Sequence, residues 1–212
     1  MSAPHEFAGV DGLIADLVRR AADASAADRR LLVGIAGAPG VGKSTVAAVV
    51  STALPDAALV PMDGFHLANS ELDRLGRRER KGAPDTFDAS GFVAAVARIR
   101  ADDGAVYLPR FDRSIEESLA GAIAIEPEHR VVIVEGNYLL LDAVPWRELA
   151  ALLDVTYALE VPHDIRLERL IARHIAFGKD PDAARAWALG PDEANARLVE
   201  AAAGRASATV RL

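Results

Sequence analysis

The stretch Leu31-Leu-Val-Gly-Ile-Ala-Gly37-Ala38-Pro39-Gly40-Val41-Gly42-Lys43-Ser44-Thr45 decides the fold. From Gly37 to Ser44 it satisfies G-x-x-x-x-G-K-[ST], the pattern of a phosphate-binding loop. At this chain's own residue frequencies such a match arises by chance roughly 0.001 times per chain. The context agrees with the motif. The apolar run 31–36 reads as a buried parallel strand, and residues 44–54 read as an Ala/Val-rich helix stopped by Pro55. The glycines let successive backbone N–H groups turn inward at the positive end of the following helix, where phosphate oxygens are stabilised. Lys43 adds a mobile charge for the β- and γ-phosphates of ATP, and the Ser44 hydroxyl is placed to ligate Mg²⁺. A glycine-rich turn that binds nothing is the competing reading, and both the chance frequency and the context stand against it.

Outward from the loop, apolar runs alternate with helical patterns. Strands are expected at 58–62, 106–108, 131–134, 155–161 and 206–212, with an edge hairpin at 115–125. Helices are expected at 11–24, 91–100, 146–153, 163–177, 183–189 and 192–203, and residues 64–90 read as a loop or short helices. This alternation predicts an α/β fold of the P-loop NTPase kind, a doubly wound, mainly parallel sheet with helices on both faces. No repeat or linker divides the chain, so one domain over 1–212 is expected, with 1–30 as an N-terminal helical segment.

Composition narrows the function classes. The 212 residues carry a net charge of −7, which disfavours a nucleic-acid partner. No cysteine is present, excluding disulfides, cysteine-ligated metals and thiol nucleophiles. No apolar run reaches the roughly 18 residues of a membrane span, and residues 1–7 have neither the basic region nor the apolar core of a signal peptide. A cytoplasmic protein with no membrane partner is expected. Of 24 basic residues only Lys43, Lys81 and Lys179 are lysine. A lysine kept in so arginine-rich a chain suggests chemistry that arginine does not copy.

The loop alone does not separate a kinase from a GTPase or a motor ATPase. No N-K-x-D guanine-reading sequence occurs, and the chain is short for a motor. A kinase further needs a carboxylate for the acceptor's proton and a cation for the moving phosphoryl group. Asp63 ends Leu59-Val-Pro-Met-Asp63 and is followed by Gly64, which frees the backbone there; an ordinary turn aspartate reads equally well. Glu135 ends Val131-Val-Ile-Val-Glu135, where a carboxylate belongs at the mouth of the sheet and could bind Mg²⁺. Arg166, Arg169 and Arg173 stripe one helix face within about 60°. None has an acidic residue at i±4, so the stripe suggests an anionic ligand, with an exposed arginine face as the alternative. His66 fits an acceptor contact or a turn histidine. Trp146 and Trp187 read as packing residues. The Arg77 to Lys81 cluster reads as a solvated loop rather than an anion site.

These residues resemble the small-molecule kinase group of uridine kinases, phosphoribulokinases and bacterial type I pantothenate kinases. Within it the likeness is closest to pantothenate kinase-like proteins assigned as fructose-transport-system kinases. It rests on the phosphate loop, Pro61-Met-Asp-Gly-Phe-His66, Arg80-Lys-Gly-Ala-Pro-Asp-Thr-Phe-Asp88 and Tyr107-Leu-Pro-Arg-Phe-Asp-Arg113. It continues through Glu135-Gly-Asn-Tyr-Leu-Leu-Leu-Asp142, the arginine helix and Asp192-Glu-Ala-Asn-Ala196. The resemblance implies ATP and Mg²⁺ as cofactors, Asp63 as catalytic base, and Glu135 as the glutamate associated with Mg²⁺. It makes Arg169 and Arg173 lid arginines within a lid region 163–190, which Lys179 extends. It also makes Asp85, Tyr107 and Arg113 acceptor contacts beside His66. The departures fall on the acceptor side: Ala83 stands where uridine kinases usually have histidine, and the pantothenate-kinase extensions are lacking. The expected partner is a small-molecule phosphate acceptor, sugar-like (fructose) or nucleoside-like, with a pantothenate-like acceptor or a regulatory ATP-binding switch as alternatives. A homodimer stays open.

Overall fold

In the computed structural model of the chain, residues 5–212 are described. The parts of the 1–30 helical segment and of the signal-peptide reading that fall on residues 1–4 lie outside them. Six strands form one parallel sheet: β1 (His5–Ala8), β2 (Leu31–Gly37), β3 (Ala57–Pro61), β6 (Val131–Gly136), β7 (Val155–Glu160) and β8 (Ala208–Arg211), in the order β1-β8-β7-β2-β6-β3. β4 (Val106–Asp112) and β5 (Glu117–Ile125) form a separate antiparallel pair. The helices are α1 (Gly9–Ala26), α2 (Lys43–Ala53), α3 (Asn69–Arg74), α4 (Ala89–Ala101), α5 (His163–Ala176), α6 (Pro181–Trp187) and α7 (Glu193–Ala202).

Every residue of β2 and β6 is buried, because helices cover both faces of the sheet. On one face Leu13 and Leu17 of α1 and Val46 and Val50 of α2 pack with Val33, Ile35 and Ile133. On the other, Phe92 and Val96 of α4 and Val199 of α7 pack with Leu32, Val134 and Trp146. The chain leaves β2 toward β6 and β3 on one side and toward β7 and β8 on the other. That reversal opens a crevice at the carboxyl end of β2, where open α/β sheets bind ligands. Register brings the rest of the site to this rim: Ile35 lies opposite Glu135, and Glu135 opposite Pro61. No helix among the described residues is long and apolar enough to cross a membrane.

The fold is the α/β architecture expected, with three local corrections. β1 precedes α1, so the N-terminal segment is not helix alone; its pairing with β8 is invisible in so short and largely exposed a strand. The hairpin does not extend the main sheet. Instead β5 pairs with β4, which runs to Asp112 because a register shift between Leu108 and Arg110 accommodates Pro109, a residue with no N–H for the ladder. Residues Trp146–Ala151 are a 3₁₀ turn rather than an α-helix.

Candidate active site

The phosphate loop turns at Gly40, whose φ of 84° is left-handed and where a Cβ would meet the Arg166 carbonyl oxygen at 2.7 Å. Gly42 begins α2 with no side-chain cap, leaving the first N–H groups of that helix free for an anion. Lys43 Nζ donates to Ala38 O at 3.1 Å within the loop. Burial lowers the Lys43 pKa to about 8, against the opposing pull of Glu135 and Asp63.

A cleft of about 310 Å³ opens in front of the loop. Lys43, Ser44, Asp63, His66, Arg113, Glu135 and Arg173 all line it. Ser44 Oγ donates to Glu135 Oε1 at 3.0 Å. Glu135 is buried, and its pKa is raised by burial and by the negative charge of Asp63. Asp63 sits in a 3₁₀ turn, Met62–Phe65, directly after β3. Burial acts to raise its pKa, but His66, Arg113, Lys43 and Arg173 outweigh that and hold the carboxyl below its ordinary range. The two carboxylates are thus shifted in opposite directions within one cleft. Arg113 Nη2 donates to Asp63 Oδ2 at 2.7 Å. His66 Nδ1 lies 2.7 Å from Asp63 O, and the ring packs 4.0 Å from Phe87 and 4.7 Å from Phe111, centroid to centroid. Arg173 has no carboxylate partner among the described residues, and burial lowers its pKa.

Ser44 and Glu135 are hard oxygen donors, and Glu135 faces Lys43 and the Ser44 hydroxyl as well as Asp63. Among the described residues no three His, Asp or Glu side chains cluster to hold a metal by themselves. Such a donor set fits a Mg²⁺ that takes its other ligands from phosphate and water.

Gly64 is required by a close approach rather than by backbone freedom: a Cβ there would lie 2.2 Å from the Pro109 carbonyl oxygen of β4. Several residues fall elsewhere than their sequence suggests. Asp85 does not line the cleft; it pairs with Arg80 and with Arg77, 3.4 Å away. Tyr107 points outward from β4, 64% exposed. Arg169 also stands outside the cleft, its Nη1 3.5 Å from Val41 O of the phosphate loop. Arg166 is buried and paired with Glu193 at 2.5 Å, so this member of the arginine stripe ties α5 to α7. Trp187 is half-buried and also lines the cleft, with Lys179 stacked 4.7 Å over its ring, whereas Trp146 is buried in the core. The basic cluster divides, Arg77 and Arg80 turning to Asp85 while Arg78 and Lys81 line the cleft. Phe111, Asn137, His174, Phe177 and Asn195 also line it. Asn195 carried a signal only as part of the Asp192 to Ala196 motif.

No protein-family model matches the chain. It is 37% identical over 174 residues to "Putative uridine kinase C227.14" of Schizosaccharomyces pombe, covering 77% of this chain and 74% of that protein. It is 33% identical over 125 residues to a pantothenate kinase of Clavibacter sepedonicus, covering 56% of this chain and 39% of that protein. The crystal structure of a "putative fructose transport system kinase" from Silicibacter sp. TM1040 superposes with a TM-score of 0.80 at 46% identity, covering 85% of this chain and 89% of that one. On these likenesses the chain belongs to the uridine kinase-like P-loop kinases, ATP-dependent phosphotransferases that act on hydroxyl groups of small molecules.

Proposed function

We propose that this kinase transfers the γ-phosphoryl group of Mg-ATP to a hydroxyl of a sugar-like or nucleoside-like metabolite, with Asp63 as the base. The single observation carrying the reading is the position of Asp63, half-buried on the wall of the same cleft as Lys43 and Glu135 and lined up with them by the β2, β6 and β3 register. The loop amides and Lys43 hold the phosphates, while Ser44 and Glu135 hold Mg²⁺. The metal, when bound, neutralises charge on the phosphate oxygens. The acceptor hydroxyl oxygen bonds to the γ-phosphorus and gives its proton to Asp63. The bond from that phosphorus to the bridging oxygen breaks, and its electron pair leaves with ADP. A carboxyl held below its ordinary pKa suffices, because in a loose phosphoryl-transfer transition state the proton moves late. Arg173, without a carboxylate of its own, stabilises the charge that develops. The whole chain acts as one kinase domain, with 163–190 as its lid.

ADP release from Mg-ATP over a panel of sugars, nucleosides, pantothenate and their phosphates tests this. Asp63→Asn is expected to lower kcat by roughly 10² to 10⁴ with Mg-ATP binding intact. Near-full turnover in that variant would remove Asp63 from the role of base.

A further inference from the structure

The reaction just described leaves one end of the cleft unused. Lys43 and Glu135 stand at the phosphate loop, and Asp63 is paired with Arg113. The His66 ring packs on Phe87 and Phe111, and Lys81 lies over the same Phe111 ring. Lys81 thus stands on the His66 and Phe111 side of the cleft.

Its side chain is only 12% exposed. Nζ donates to Asn69 Oδ1 and to the Glu116 carbonyl oxygen, both at 2.7 Å, and lies 4.9 Å over the Phe111 ring. These two acceptors are neutral, and an ammonium has a third N–H to give. The Glu116 carboxylate stands 3.7 Å away, 54% exposed, and it and Glu117 offset part of the Lys81 charge. Beside Lys81, Asn195 is 4% exposed and lines the cleft. Its Nδ2 sits 3.8 Å from where a Cβ on Gly82 would be, which sets the amide against the Lys81–Gly82 wall of the cleft. Lys179, stacked on Trp187, likewise has no carboxylate partner among the described residues. A neutral sugar would leave this end of the cleft positively charged and the amide only partly used.

We propose that the acceptor carries a carboxylate or phosphate group seated on Lys81, with the Asn195 amide bonded to an oxygen beside it, while its reacting hydroxyl reaches Asp63. The proposal rests on the kinase reading above for the position of the hydroxyl, and on the Lys81 side of the cleft alone for the anion.

Calorimetric titration tests it on the full chain saturated with Mg²⁺ and the non-hydrolysable β,γ-imido analogue of ATP, which fills the phosphate end. The probes are two matched sets: glycerol, glycerate and glycerol 3-phosphate; and glucose, gluconate and glucose 6-phosphate. In at least one set an anionic member is expected to bind at least about 10-fold tighter than its neutral counterpart. A tighter carboxylate or a tighter phosphate then names the source of the charge. Lys81→Met, or Lys81→Gln should the first variant not fold, is expected to bring the members of that set within about 2-fold of each other. The proposal is overturned if neutral members bind as well as anions in both sets, or if the preference survives both Lys81→Gln and Asn195→Leu. Because the readout is binding, anion preference without ADP release would sink the kinase reading alone. Turnover of neutral acceptors without anion preference would sink this proposal alone.

Discussion

The two ends of the cleft are built in opposite ways. The phosphate end is eight consecutive residues at one strand–helix junction, Gly37 to Ser44, backed by Glu135 from the adjacent strand. The acceptor end draws His66 from the turn after β3, Lys81 from a loop, Phe111 from the β4–β5 arm, and Trp187 and Asn195 from the helical segment after α5. A binding site made of contiguous backbone has its geometry fixed by local φ and ψ choices. One made of four separated segments exists only once the surrounding structure has packed. The first suits a ligand common to a whole family, and the second can be altered piece by piece to take a different acceptor.

The sharpest way to break this contrast is to remove one group from each end. Lys43→Ala is expected to lower kcat by roughly 10² to 10³ with every acceptor, because it deletes a cation acting on the transferring phosphates. Asn195→Ala is expected to raise acceptor KM by about 10-fold while leaving the KM for ATP near its original value. Steady-state kinetics with both substrates varied separates them. An Asn195→Ala enzyme defective toward ATP would show that the two ends are not independent.

The same contrast explains what the sequence made legible. The phosphate loop announces itself because its chemistry is contiguous. Asp63 and Glu135 could be picked out because each follows an apolar strand, and parallel register carries strand ends to a common rim. Asp85 looked like an acceptor contact in its motif, yet Arg77 and Arg80 lie only eight and five residues away and close an ion-pair loop on it. Arg166 looked unpaired because its partner Glu193 is on another helix, 27 residues on. Lys81 and Asn195 are 114 positions apart, and only the packing of α7 against the sheet brings them to one wall. Nothing in either local sequence encodes that meeting.

An effect no larger than that of Lys43→Ala is expected where the two ends join. Gly64 follows Asp63, the proposed base, and abuts the Pro109 carbonyl of β4. In Gly64→Ala the new methyl cannot coexist with Pro109 O at 2.2 Å, so the Met62–Phe65 turn must shift away from β4. Displacing Asp63 by about 1 Å is expected to cost about 100-fold in kcat, and the overpacking about 1–3 kcal/mol of stability by urea titration. Normal turnover in a folded Gly64→Ala protein would mean that the base is not held by this contact.

The smallest effect belongs to a region that should leave both ends untouched. Asp16 of α1 accepts hydrogen bonds from Arg20 Nε at 2.8 Å and from Arg19 and the Tyr157 hydroxyl of β7, on the sheet face opposite α4 and α7. Burial acts to raise its pKa, but the bonds from Arg20, Tyr157 and Arg19 prevail and hold it below the ordinary aspartate value. A folded-state pKa below the unfolded one means that the charge stabilises the fold above about pH 4, and that this contribution is lost as pH falls through the lower, folded value. Asp16→Asn is therefore expected to cost about 1 kcal/mol at pH 7, read as a lower urea midpoint with an unchanged slope. The gap from the wild type should close as the titration is repeated toward pH 3, because the wild-type carboxyl is then losing its charge. kcat and both KM values should stay within about 2-fold, since no residue of the cleft touches Asp16. A gap that persisted at low pH would assign the stabilisation to packing around Tyr157 rather than to the charge. A change in turnover would show that the helix face behind the sheet, and not only its rim, sets the geometry between phosphate and acceptor.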